Sequence, residues 1–93
     1  MLVADRFFGQ VARLYVSSST EIVGYIRLED VTPADAVLPL DGYFSLETAH
    51  PHANALYSLA MLAASGRYRL QIKTKAEAVP TSRALIQYMV IDW

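Results

Sequence analysis

Residues 51–66, PHANALYSLAMLAASG, constrain the fold more than any other stretch of this 93-residue chain. Proline suits the first position of a helix, and Gly66 is the expected left-handed residue at its end. Between them Ala, Leu and Met dominate, all strong helix formers. About fifteen residues at ~1.5 Å each give a rod of about 22 Å, the width of a small domain. The rod has no polar side. Leu56, Leu59, Ala60 and Ala63 form one stripe at helical spacing, and Ala53, Tyr57, Met61 and Ala64 form a second. A helix that is apolar all round needs cover on both sides. One stripe packs on the chain's own sheet, and the other is expected to meet a second copy of the chain.

Composition agrees with self-association. A chain of this size buries only about 60–65% of its unfolded surface, so its core is modest. Small domains are otherwise held by disulfides or metal, but the sequence has no cysteine and only two histidines, His50 and His52. The chain is nonetheless 54% hydrophobic and 18% charged, and surplus apolar surface marks contact sites. The net charge of −1, with Lys and Arg scattered singly, argues against nucleic-acid binding, which needs cations gathered in a patch. No apolar run approaches the ~20 residues of a membrane span. Asp5 and Arg6 fall where a signal peptide would carry its apolar centre, so an intracellular location is expected.

Strands account for the rest. Residues 9–17 alternate with period two, placing Ala12, Leu14 and Val16 on one face and Val11, Arg13 and Tyr15 on the other. Ser17, Ser18, Ser19 and Thr20 form a polar turn. Residues 21–29 resume as a strand with Ile22, Ile26 and Leu28 together, and Gly24 within it predicts a bulge or bend. Residues 30–41 read as a loop with a short strand at 36–38. Residues 42–47 form a third strand with Phe44 and Leu46 inward. After the helix, residues 67–75 alternate cleanly, with Tyr68, Leu70 and Ile72 facing in. Following a loop at 76–82, residues 83–93 form a last strand, apolar on both faces (Ile86, Tyr88 and Val90 against Leu85, Met89 and Ile91). Phe7 and Phe8 are expected against the core or a neighbour. The whole chain, 1–93, reads as one domain. Three strands, one helix and two strands predict a mainly β fold, a five-stranded OB-fold barrel with its helix between strands three and four. A small α+β sandwich is the alternative.

The stretch from 42 to 74, and within it Asn54, Ala55, Leu56, Tyr57, Ser65 and Gly66, resembles a group of small bacterial OB-fold proteins. This group includes the receptor-binding B subunits of subtilase-cytotoxin-type toxins. In that family five B subunits form a ring with their helices around the central axis, and the subunits bind sialylated glycans. The resemblance therefore implies a pentamer whose interface draws on Tyr57, Met61, Ala64, Met89 and Trp93. The resemblance carries no sugar-contacting residue onto this sequence, and the family disulfide is missing.

OB-folds commonly bind through the first and last hairpin loops. Tyr15, Ser17, Ser18, Ser19 and Thr20, with loop 76–82, are thus the expected ligand region, hydroxyls beside an aromatic ring being suited to a carbohydrate. A protein ligand is the other expectation for this region. Arg67, Arg69, Lys73 and Lys75 lie near one strand, and with Tyr25, Tyr43 and Tyr68 would support an alternative, binding of single-stranded nucleic acid. The plainer reading of these cations is a solvated face. His50 and His52 lack the spacing of a zinc site, and no serine sits in a nucleophile context. No enzyme activity, cofactor or metal is expected.

Overall fold

The computed structural model of the protein describes residues 2–92. The elements run β1 (Arg6–Val16), β2 (Ile22–Thr32), a short 3-10 turn (Leu40–Gly42), β3 (Tyr43–Glu47), α1 (Ala53–Gly66), β4 (Leu70–Thr74) and β5 (Ala84–Ile91). The five strands form one sheet that closes on itself in the order β1-β2-β3-β5-β4 and back to β1. All neighbours are antiparallel except β3 and β5, which run parallel over only two residue pairs, Phe44 with Ala84 and Ser45 with Leu85. The helix lies between β3 and β4 in the chain, as the element order predicts. Among the described residues no helix is long and apolar enough to cross a membrane.

The interior is built from one face of each strand and one stripe of the helix. Phe7 and Phe44, both fully buried, meet with ring centroids 5.1 Å apart. Around them lie Ile26, Leu46, Leu70, Ile72 and Ile86. The helix contributes Leu56, Ala60 and Ala63. Two of these are alanines, whose small side chains let the rod pack closely on β1, β3 and β5.

Bulges decide which residues face in. On β1, Phe7, Gly9 and Val11 point inward, and a register shift between Val11 and Arg13 then hands the inward side to Leu14. The uninterrupted alternation expected for residues 9–17 therefore fails: Val11 is core, while Ala12 and Val16 are exposed. On β5 a shift opposite Lys73 and Thr74 brings Ile86 and Met89 to the same side. Met89, expected at the interface, is 7% exposed and packs in the core of its own chain. Leu85 and Tyr88 take the outside. Phe7 is core as expected, whereas Phe8 faces out. At Gly24 the bend is present. Its ladder partner shifts after Ile22, and a Cβ there would fall 2.3 Å from the Tyr15 carbonyl oxygen.

The helix end and the helix surface also differ from expectation. Arg67, not Gly66, adopts the left-handed conformation (φ 57°), and its amide closes the helix on the Ala63 carbonyl. Gly66 is required for space, since a Cβ would lie 2.3 Å from the Tyr68 ring. Of the predicted outer stripe, Ala53, Tyr57 and Ala64 are half-buried, the last two packing against the core. Met61, 51% exposed, stays outside with Leu62. The expected strand at 36–38 reduces to one bridge, Leu2 with Ala36. Trp93 lies outside the described residues.

Candidate ligand-binding face

The predicted ligand turn is rigid. The Ser17 amide donates to the Val23 carbonyl at 2.9 Å. The Ser19 amide donates to Ser17 Oγ at 2.9 Å, and the Glu21 amide to Ser19 Oγ at 3.1 Å. Hydroxyls that bond nearby backbone in this way fix the turn. Across the chain, Thr48 Oγ1 donates to the Thr20 carbonyl at 2.8 Å. Ser18 and Thr20 are exposed.

Tyr15 does not stand alone. In the β1–β2 ladder it lies opposite Tyr25, and Arg13 lies opposite Arg27. The next strand sets Tyr43 opposite Arg27. The three tyrosine rings pack at centroid distances of 5.1 Å (Tyr15–Tyr25), 5.7 Å (Tyr15–Tyr43) and 6.2 Å (Tyr25–Tyr43). Tyr43 is buried beneath the group, and Tyr15 is at its open edge. Arg13 Nη1 donates to the Tyr43 hydroxyl at 3.0 Å. The Arg27 guanidinium lies 5.8 Å from the Tyr43 ring centre. Arg83, delivered from the residue before β5, stacks 4.6 Å over Tyr25 and 5.5 Å from Tyr43. Such stacking on a ring face is favourable for arginine. Three guanidinium groups thus surround one tyrosine. Among the described residues their one ion pair is Arg83 with Asp41, at 3.8 Å.

The basic strip predicted from residues 67–75 is not a free surface. Lys73 pairs with Asp5 at 2.9 Å, Lys75 with Glu47 and Arg67 with Glu29 at 3.5 Å. Arg69 donates to the Thr32 hydroxyl at 3.3 Å. The cations that gather are Arg13, Arg27 and Arg83, which the linear reading left apart. A signal for two of them is present in the text of the chain. Arg13 and Tyr15 before the 17–20 turn and Tyr25 and Arg27 after it occur in reversed order at the same spacing, and the hairpin ladder sets them opposite one another.

One concavity adjoins this face at Arg83, and another borders the helix start. A cavity of 170 Å³ sits inside the loop that joins β4 to β5, beside Lys75, Glu77, Ser82 and Arg83. An open groove of 470 Å³ borders the start of α1, beside Thr48, His50 and Asn54. His50 holds this segment together. Its Nδ1 accepts the His52 amide at 3.0 Å, and its Nε2 lies 2.8 Å from the Gln87 carbonyl. An accepting Nδ1 leaves the ring proton on Nε2, which donates to that carbonyl. Among the described residues no group of three His, Cys, Asp or Glu side chains is arranged to hold a metal ion. No family model, curated protein or solved structure matches this chain.

Proposed function

We propose that the chain is a non-enzymatic OB-fold binding protein that works as a homo-oligomer and takes a carbohydrate on the outer face of β1 and β2. One observation carries this reading: a packed cluster of three tyrosines, open at Tyr15, whose strand runs into a hydroxyl-rich turn. Sugar rings stack their C–H faces on aromatic rings, while Ser and Thr hydroxyls exchange hydrogen bonds with sugar hydroxyls. The face also lies where OB-folds commonly take ligands, on the second and third strands with the first and last hairpin loops. The strand order and the helix between β3 and β4 support the OB-fold assignment. Met61 and Leu62, apolar and exposed on α1, support self-association. The resemblance of residues 54–72 to toxin B subunits adds a pentamer as the assembly.

A glycan array tests the ligand, and sedimentation at micromolar concentration tests the assembly. Tyr15→Ala is expected to weaken glycan binding at least tenfold, and Met61→Glu to shift the mass to that of one chain. A wild-type protein that is monomeric and binds no glycan would defeat the proposal. A second reading, single-stranded nucleic acid, is favoured by the three arginines on the same tyrosines. Titration with oligothymidylate at ~50 mM salt, where electrostatic binding is strongest, separates the two.

A further inference from the structure

We infer that the tyrosine face is an anion site, built for a saccharide that carries more than one acidic group, of the sulfated class. This rests on the carbohydrate reading above and specifies its ligand.

Charge placement is the first ground. Arg13 and Arg27 are direct cross-strand partners, and like charges directly opposite one another destabilise a sheet. A third cation, Arg83, lies over the same tyrosines. Among the described residues neither Arg13 nor Arg27 has a carboxylate partner, and Asp41 offsets Arg83 alone. The cluster therefore holds a local charge of about +2 that nothing in the fold neutralises, and a bound polyanion would relieve it.

Preorganisation is the second ground. Arg83 is held in place by its stack on Tyr25 and its pair with Asp41, so its position beside Arg13 and Arg27 is set before any ligand arrives.

Geometry separates a sulfated saccharide from a nucleic-acid strand. A strand needs cations spaced along its backbone together with several open rings. Here all three guanidinium groups crowd one tyrosine, Tyr43 is buried, and Arg83 covers Tyr25. Of the three rings Tyr15 is the one at the open edge, and its strand runs into the turn that carries the exposed Ser18 and Thr20. Arg67 and Lys73, cations outside the cluster, are paired with Glu29 and Asp5. A compact ligand with two or more anions, one ring to stack and hydroxyls to share fits this arrangement. A single carboxylate would leave about half the charge unmet.

Calorimetric titration of the intact protein tests the inference with four probes at the same salt. These are a heparin-derived tetrasaccharide, the same sugar desulfated, sialyllactose and oligothymidylate. The sulfated sugar is expected to bind at least tenfold more tightly than each of the others. Arg27→Gln and Arg13→Gln should each weaken it at least tenfold, while Arg69→Gln leaves it unchanged. Removing one of two facing cations should also raise the melting temperature of the free protein. Equal binding of the desulfated sugar would overturn the inference while leaving the carbohydrate reading intact. Binding of oligothymidylate as tight as that of the sulfated sugar would overturn both. Failure of all three sugars would do the same. A melting temperature that falls in both arginine variants would mark the arginines as structural and overturn the anion site.

Discussion

Gly24→Ala offers the sharpest test of how the tyrosine face is held. Gly24 sits opposite Val16 on β1 and opposite Leu46 on β3. A methyl group there would lie 2.3 Å from the Tyr15 carbonyl oxygen, 3.3 Å from its carbon and 3.4 Å from the Val16 Cα. All three are backbone atoms, so no side chain can swing away. Carbon–oxygen contacts settle near about 3.3 Å, which leaves β1 to retreat by about 1 Å. Backbone displacement of this kind costs ~1–3 kcal/mol. The adjoining bond from the Ser17 amide to the Val23 carbonyl would be stretched, at about 1 kcal/mol. With a combined loss of about 3 kcal/mol, a domain of this size should melt about 12–24 °C lower. Circular dichroism on heating measures the shift. A Gly24→Ala protein melting within about 3 °C of the parent would refute the bulge geometry on which the Tyr15–Tyr25 pairing depends.

Three further outcomes follow from the same structure. Arg67→Gly should raise stability by about 1 kcal/mol, since arginine pays a left-handed penalty that glycine escapes, and the exposed pair with Glu29 is worth little; urea unfolding would read the shift in midpoint. Phe44→Ala, at the centre of the core, should cost about 3–5 kcal/mol, enough to leave a marginal domain largely unfolded at 37 °C by near-ultraviolet dichroism. The hydrogen bond from Lys73, with its charge, holds the Asp5 carboxyl below its ordinary value of 3.8. A carboxylate with a depressed pKa stabilises the fold above its unfolded pKa, and that contribution is lost as pH falls below about 3.8 through the folded value. Melting curves from pH 5 downward should therefore fall less steeply for Asp5→Asn than for the parent.

Much of the architecture follows from local pattern. The helix, the strand order and the inward set Ile26, Leu28, Phe44, Leu46, Leu70 and Ile72 obey the periods of two and 3.6 that the sequence displays. What escaped were one-residue insertions. Nothing in VAR at 11–13 or IQYM at 86–89 announces a bulge, yet each such shift swaps the two faces of the strand beyond it. That is how Met89 becomes core and Val16 becomes surface. The helix end was misplaced for a related reason. Glycine at 66 suggested backbone freedom, but the ring of Tyr68 two residues on demands the small residue, and Arg67 bears the unusual dihedral. The candidate site was half legible. Tyr15 and the 17–20 turn stood out, whereas Arg83 joins Arg13 and Arg27 only after the sheet closes, and no local spacing reports a contact between residues so far apart in the chain.

The two-pair seam between β3 and β5 has a consequence for how the molecule breathes. A ring of strands opens first where it is stitched least, so the amides of Phe44, Ser45, Ala84 and Leu85 should exchange with deuterium before those of the long β1–β2 ribbon. Arg83 stands on one lip of that seam, while Tyr25 and Tyr43 stand on the other. Anything gripping both lips would act as a clasp, quietening the whole circumference from a single point of contact.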